Sequence, residues 1–141
     1  MRLKDTVAVV TGAGQGMGRA IARRFAAEGA TVVAMDLNLQ AAQETVAGGS
    51  GVAMQLNIAD SAAVSAAFDE IVARLGRVDV LVNNAGVGSV DAFADIADDT
   101  WSRVIGVNLN GAFYCARAAV RAMKQGGRPG CVINVASTAA V

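Results

Sequence analysis

A glycine-rich stretch near the N-terminus, TGAGQGMG at residues 11–18, has the composition of a phosphate-binding loop. It follows a short apolar run and precedes a segment of helical periodicity. Glycine tolerates positive φ and lets backbone approach a ligand closely, while the N–H groups that open a helix attract phosphate oxygens. A merely tight turn is the alternative, but four glycines in seven residues exceed what a turn needs. The predicted cofactor-binding residues of this loop are Gly12, Gln15, Gly16, Met17 and Gly18.

A single carboxylate, Asp36, ends the second apolar run, 18 residues after Gly18. In a dinucleotide-binding fold, an acidic side chain at this point accepts hydrogen bonds from the adenosine ribose and repels a 2′-phosphate. No Lys or Arg occurs between Leu37 and residue 50. The pattern therefore favours NAD over NADP, with Asp36 and Leu37 at the ribose. The alternative role for Asp36 is to cap the helix that follows.

A second motif, NNAG at residues 83–86, follows the fourth apolar run. Asn and Gly are common in ordinary turns, so the tetrapeptide alone is weak evidence. Its position is more informative, because the carboxyl ends of strands one and four flank the crevice where open α/β sheets bind ligands. We predict that Asn84, Ala85 and Gly86 border the same ligand as the glycine loop.

The elements that must position these motifs are short apolar runs alternating with segments of helical periodicity. The runs lie at residues 6–10, 31–35, 51–56, 78–82 and 131–135. Their nearly continuous apolar character is typical of parallel strands buried on both faces. Helices are expected from Met17 to Gly29, over 38–47, from Asp60 or Ser61 to Gly76, and from Asp98, Asp99 or Thr100 to about Gln125. The pattern predicts an α/β, Rossmann-like doubly wound parallel sheet of order 3-2-1-4-5, in one domain over 1–141.

The composition excludes several classes of function. Twelve basic side chains balance 12 acidic ones, which gives no attraction for nucleic acid or for an anionic membrane. The longest uncharged stretch, Thr45–Ala59, is too short to span a bilayer. The chain has no His, so His-based general-base catalysis and most zinc sites are excluded, and no metal is expected. We interpret Cys115 and Cys131 as two free, buried thiols of a cytoplasmic protein.

Taken together and in this order, the motifs make the chain similar to the short-chain dehydrogenase/reductase family. The glycine loop, Asp36, NNAG and the later VNLNG at 107–111 match the family's pattern, and the resemblance extends over the whole chain. It implies an NAD-dependent oxidoreductase that transfers a hydride between nicotinamide and a small-molecule alcohol or ketone. It also implies that Asn57 and Ile58, where the family usually has Asp-Val, contact the adenine.

The resemblance further implies that Asn108, in VNLNG, and Ser137, in NVAS, are catalytic residues. From the residues alone, other roles remain open for both. Asn108 is equally well explained as a polar helix residue that faces water or marks a kink. Ser137 is equally well explained as a turn residue at the end of a strand.

The family's proton-transferring pair, a Tyr followed four residues later by a Lys, has no counterpart in this sequence. The single Tyr, Tyr114, is followed by Ala118 and precedes Ser137. We therefore expect a truncated, N-terminal portion of such an enzyme, with the C-terminal strands missing, that is inactive alone. The complete protein is expected to be a homodimer or homotetramer. The alternatives are a non-catalytic dinucleotide-binding or interaction module, and a partner that completes another chain's sheet through its fifth strand.

Overall fold

A five-stranded parallel sheet lies at the centre of the computed structural model, which describes residues 1–137. The strands are β1 (Val7–Thr11), β2 (Thr31–Asp36), β3 (Val52–Gln55), β4 (Val80–Asn83) and β5 (Cys131–Asn134). Each pairs in parallel with its neighbours, in the order β3-β2-β1-β4-β5. This confirms the predicted fold class and strand order.

Helices connect the strands and cover the sheet. They are α1 (Gly16–Ala27), α2 (Leu39–Val46), α3 (Ser61–Leu75), α4 (Asp98–Ile105) and α5 (Ala112–Gln125). The predicted boundaries of α3 are confirmed: the Asp60 side chain accepts hydrogen bonds from the backbone N–H groups of Ala62 and Ala63, and Gly76 ends the helix with φ of 77°. Within residues 1–137, every helix is too short or too polar to cross a membrane.

The predicted fourth helix is present but is not uniform. A π-helical segment, Gly106–Gly111, separates α4 from α5 along one continuous path. Glycine and asparagine, which have low helix propensity, make up most of this segment. Gly111 also lies against Ile58, since a Cβ there would be 2.7 Å from that side chain. Single-turn π segments of this kind are frequent at functional sites.

The core lies on both faces of the sheet, because successive side chains of a strand point to opposite sides. Val9 contributes to the face covered by α3 and α5, together with Phe68 and Leu81. Val10 contributes to the opposite face, where small residues such as Ala22 let α1 and α2 pack closely. All five residues of β1 are buried, which explains the continuous apolar pattern of this strand.

The edge strand β5 is more exposed than its composition suggests. Ile133 is 40% exposed, and Cys131 is exposed rather than buried, so the prediction for this cysteine was wrong. The reason is topological: in the described part of the chain, β5 pairs with β4 alone. Cys115, on α5, is buried as predicted, and burial raises the pKa of its thiol to about 12.

Candidate functional site

The glycine loop joins the end of β1 to the start of α1, and its glycines serve different purposes. Gly12 and Gly16 adopt positive φ, 63° and 51° respectively. A Cβ at Gly12 would be 2.8 Å from the Cα of Ala85, and one at Gly18 would overlap the carbonyl oxygen of Gly12. A Cβ at Gly16 would meet nothing within 4 Å among the described residues. Gly12 and Gly18 are therefore required by packing within the protein, whereas Gly16 faces open space.

Hydrogen bonds between Thr11 and Asn84 join the glycine loop to the NNAG motif. The buried Thr11 hydroxyl accepts from the backbone N–H groups of Asn84 and Ala85, both at 3.1 Å. The Asn84 amide donates to the carbonyl oxygens of Thr11 and Gly12, at 3.0 and 3.2 Å. Thr11 and Asn84 are 73 residues apart in the chain. Their hydrogen bonds join the two motifs into one unit where β1 and β4 end.

Asp36 ends β2 beside the same loop. One of its carboxylate oxygens accepts from the N–H of Gly14 at 2.8 Å, and the other accepts from the N–H of Asn38 at 2.9 Å. The N-cap of α2 is Asn38, whose side-chain oxygen accepts from the N–H of Ala41. The capping role considered for Asp36 therefore belongs to Asn38.

A cavity of about 370 Å³, called here the loop cavity, lies between these elements. All the predicted cofactor-binding residues line it: Gly12, Gln15, Gly16, Met17, Gly18, Asp36, Leu37, Asn57, Ile58, Asn84, Ala85 and Gly86. Met35, Leu56, Val87 and Val107 also line it and were not predicted. The first three directly precede or follow predicted residues along the chain. Val107 is distant in sequence and lies in the π segment, whose Asn108 and Gly111 contact Val87 and Ile58, in the loops after β4 and β3.

A second cavity of about 790 Å³, called here the strand-end cavity, adjoins the first. Both predicted catalytic residues, Asn108 and Ser137, line it. The two cavities share Met17 and the stretch 84–87, so they form neighbouring parts of one crevice. A separate groove of about 510 Å³ between α1 and α2 contains none of the predicted site residues.

Asn108, in the π segment, braces the loop that follows β4. Its side-chain oxygen accepts from the N–H of Val87 at 2.9 Å, and its amide donates to the carbonyl of Val87 at 2.8 Å. The side chain therefore does not simply face water, although the local departure from α-helix agrees with the kink considered from the sequence. Asn108 holds the shared wall of the two cavities in place.

Replacing Asn108 with Ala should loosen this wall. The variant loses both hydrogen bonds to Val87, and we expect the free energy of unfolding to fall by about 1–2 kcal/mol in urea denaturation. Asn110→Ala is the matched control, because it makes the same change of helix propensity at an exposed position of the same segment. Equal stabilities of the two variants would contradict the bracing role.

Asn83 connects three elements behind the strand-end cavity. Its amide nitrogen donates to the side-chain oxygen of Asn134 on β5 at 2.9 Å and to the carbonyl of Ala112 at 3.2 Å. Its side-chain oxygen is buried without a hydrogen-bond partner within residues 1–137. Asn83 therefore fixes the spacing of β4, β5 and α5 around this cavity.

The charged groups of the crevice are few. Asp36 is the ionisable residue that lines the loop cavity, and the strand-end cavity is lined by amide, hydroxyl and apolar groups. Tyr114 lies outside both linings, on α5, with the Arg117 guanidinium 5.5 Å from its ring centre. Over residues 1–137, no group of three or more acidic or Cys side chains is arranged to hold a metal ion.

Known proteins are similar to this chain over nearly its whole length. The family model for short chain dehydrogenase matches residues 6–141. Meso-2,3-butanediol dehydrogenase of Serratia marcescens is 39% identical over 140 residues, which cover 97% of this chain and 55% of that protein. A 3beta-hydroxysteroid dehydrogenase of Mediterraneibacter gnavus is 42% identical over 144 residues, which cover 98% of this chain and 51% of that protein.

The same similarity holds in three dimensions. The crystal structure of NAD⁺-bound xylitol dehydrogenase matches with a TM-score of 0.93 at 32% identity, covering 99% of this chain and 55% of that one. The chain thus spans about half the length of the relatives it matches. Because the family model covers nearly every residue, this chain belongs to the short-chain dehydrogenase family.

Proposed function

We propose that residues 1–141 are the NAD-binding, Rossmann-like domain of an oxidoreductase that transfers a hydride between nicotinamide and an alcohol or ketone. The observation that carries this proposal is the loop cavity, where a glycine loop, a carboxylate and apolar residues near the carboxyl ends of β2, β3 and β4 meet. The similarity to an NAD⁺-bound xylitol dehydrogenase supports it. For the complete protein we propose a cytoplasmic homodimer or homotetramer.

The residues of the loop cavity fit a dinucleotide. Open space above Gly16 and the backbone N–H groups that begin α1 suit a pyrophosphate. Asp36 binds two backbone N–H groups, and the remaining lone pairs of its carboxylate suit ribose hydroxyls. Ile58, which is 7% exposed, and Leu37, which is 63% exposed, supply apolar surface for adenine.

Asn57 differs from an Asp at its position because its amide nitrogen can donate a hydrogen bond. Its side-chain oxygen accepts from the N–H of Ala59 at 3.0 Å, which orients the amide at the cavity wall. An adenine ring nitrogen that accepts a hydrogen bond suits this donor. We therefore assign Asn57 to adenine contact through its Nδ2.

The strand-end cavity is the proposed place for the reacting alcohol or ketone. Bound there beside the substrate, nicotinamide would supply or accept the hydride. We assign Ser137 to a hydrogen bond with the substrate oxygen, and Asn108 to holding the loop at 84–88 against the cofactor. The proton partner that this chemistry requires has no candidate among the described residues of the crevice, since Tyr114 lies outside it. We therefore propose that the chain binds NAD but does not turn over substrate alone.

Titration of the 141-residue chain with NAD and with NADP tests this proposal. We expect calorimetry to show NAD binding, with NADP at least about tenfold weaker because of the Asp36 carboxylate. In the same sample, butane-2,3-diol and xylitol should give no NADH. Absence of NAD binding, equal affinity for the two cofactors, or NADH formation would each contradict a stated part of the proposal.

A further inference from the structure

Arg19 lies near the N-terminus of α1, where the helix dipole disfavours a positive charge. The first turn of this helix contains no acidic residue. The Arg19 side chain is nevertheless only 29% exposed. Its hydrogen-bond partners give the reason for this placement.

The Arg19 side chain joins the glycine loop to α2. Nη2 donates to the carbonyl oxygen of Gly14 and lies 3.4 Å from both the Ala41 carbonyl oxygen and the Glu44 carboxylate. Nε donates to the hydroxyl of Thr45 at 3.2 Å. The positive charge of Arg19 is therefore paired with the Glu44 carboxylate of α2, and its Nη2 is directed at the Gly14 carbonyl of the loop.

The peptide between Ala13 and Gly14 is held at both ends. Its carbonyl oxygen accepts from the Thr45 hydroxyl at 2.7 Å, and its N–H donates to the Asp36 carboxylate at 2.8 Å. Arg19 binds the carbonyl of the next peptide, so it restrains Gly14 from the other side. The fit is tight, since a Cβ at Gly14 would be 2.7 Å from the Asp36 carboxyl carbon.

We propose that Arg19 is a positioning residue for the cofactor site, which fixes Gly14 and, through the Gly14 N–H, the orientation of the Asp36 carboxylate. Arg19 does not line the loop cavity, so it acts through Gly14 rather than on the ligand. The inference rests on the proposed NAD binding. On this proposal, the preference for NAD over NADP depends on the packing of α1 against α2 as well as on Asp36.

Arg19→Met tests the proposal, because methionine keeps an unbranched apolar stem and removes every donor. In calorimetric titration of the 141-residue chain, we expect about tenfold weaker NAD binding and a smaller change for NADP, so that the preference for NAD falls. Arg19→Lys keeps a charged donor and should recover part of the loss. Arg23→Met is the matched control, since Arg23 lies on the same helix and donates to the Glu44 carbonyl at 3.2 Å without contacting the loop.

A double-mutant cycle separates positioning from general destabilisation. If Arg19 acts through Asp36, Arg19→Met should cost less than about threefold in NAD affinity once Asp36 is Ala. The same roughly tenfold loss in both backgrounds would overturn the proposal. So would equal losses for the Arg19→Met and Arg23→Met variants.

Hydrogen exchange of the Gly14 amide gives a second measurement that needs no ligand. We expect faster exchange in Arg19→Met than in the wild type or in Arg23→Met, because Gly14 loses its restraint. Unchanged Gly14 exchange in Arg19→Met would overturn this inference alone. A wild-type chain that binds no NAD would overturn the proposed function and, with it, the assignment of Arg19 to a cofactor site.

Discussion

Gly16→Val is expected to abolish NAD binding by this chain, with at least about a hundredfold rise in Kd. Gly16 begins α1 with φ of 51°, and within the described residues a Cβ there would have open space around it to 4 Å. A side chain at this position would therefore project into the space proposed for the pyrophosphate without disturbing protein packing. Calorimetric titration with NAD measures the effect.

Gly48→Val is a closely matched control for this variant. Gly48 follows α2 with φ of 81°, a Cβ added there would also meet nothing within 4 Å among the described residues, and it does not line the loop cavity. Each variant should lose about 1–2 kcal/mol of stability, the cost of placing a side chain in left-handed backbone. The two should have similar Tm values but different NAD affinities. Retained NAD binding by the Gly16→Val variant would make the loop purely structural.

Asp36→Ala should weaken NAD binding by about 10- to 100-fold and remove the preference for NAD over NADP. The loss follows from the hydrogen bonds that a carboxylate makes to ribose hydroxyls, at about 1.5–3 kcal/mol for a charged partner. The preference should vanish because removal of the carboxylate removes its repulsion of a 2′-phosphate. Parallel titrations with NAD and NADP give both quantities. An unchanged preference would refute the ribose assignment.

The control for Asp36→Ala is Asp60→Ala. Asp60 also accepts two backbone N–H groups, at 2.9 and 3.0 Å, but it caps α3 and does not line the loop cavity. Its replacement should cost about 1 kcal/mol of stability with no change of cofactor preference. If both variants weaken NAD binding equally, the effect of Asp36 is a general loss of backbone restraint rather than a contact with the ribose.

The strand order and most element boundaries could be predicted from the sequence because they depend on patterns local to the chain. Continuous apolar runs such as that of β1 are typical of parallel strands buried on both faces, and right-handed crossovers leave few possible strand orders. Asp60 and Gly76 mark the ends of α3 by their own hydrogen-bonding and backbone preferences. The glycine loop and the NNAG motif could be predicted in the same way, from their residue types and their positions directly after apolar runs.

Properties that depend on a distant partner could not be predicted in this way. β5 has the composition of an interior strand, yet Cys131 is exposed because of the strand's place at the sheet edge. Arg19 directly follows the glycine loop in the sequence. Its contacts with Ala41 and Thr45, however, exist only because α1 packs against α2. The close approach of Gly111, in the π segment, to Ile58 likewise joins residues that are distant in the chain.

The sequence by itself determined the parallel sheet, the helices and the glycine loop, since periodicity, capping and positive-φ requirements act between near neighbours in the chain. Only the tertiary structure decided which glycine faces open space, that Asn38 rather than Asp36 caps α2, and that Arg19 and Thr45 restrain the loop next to Asp36. These outcomes depend on hydrogen bonds and contacts between elements that are separated in the chain, and packing alone brings those elements together.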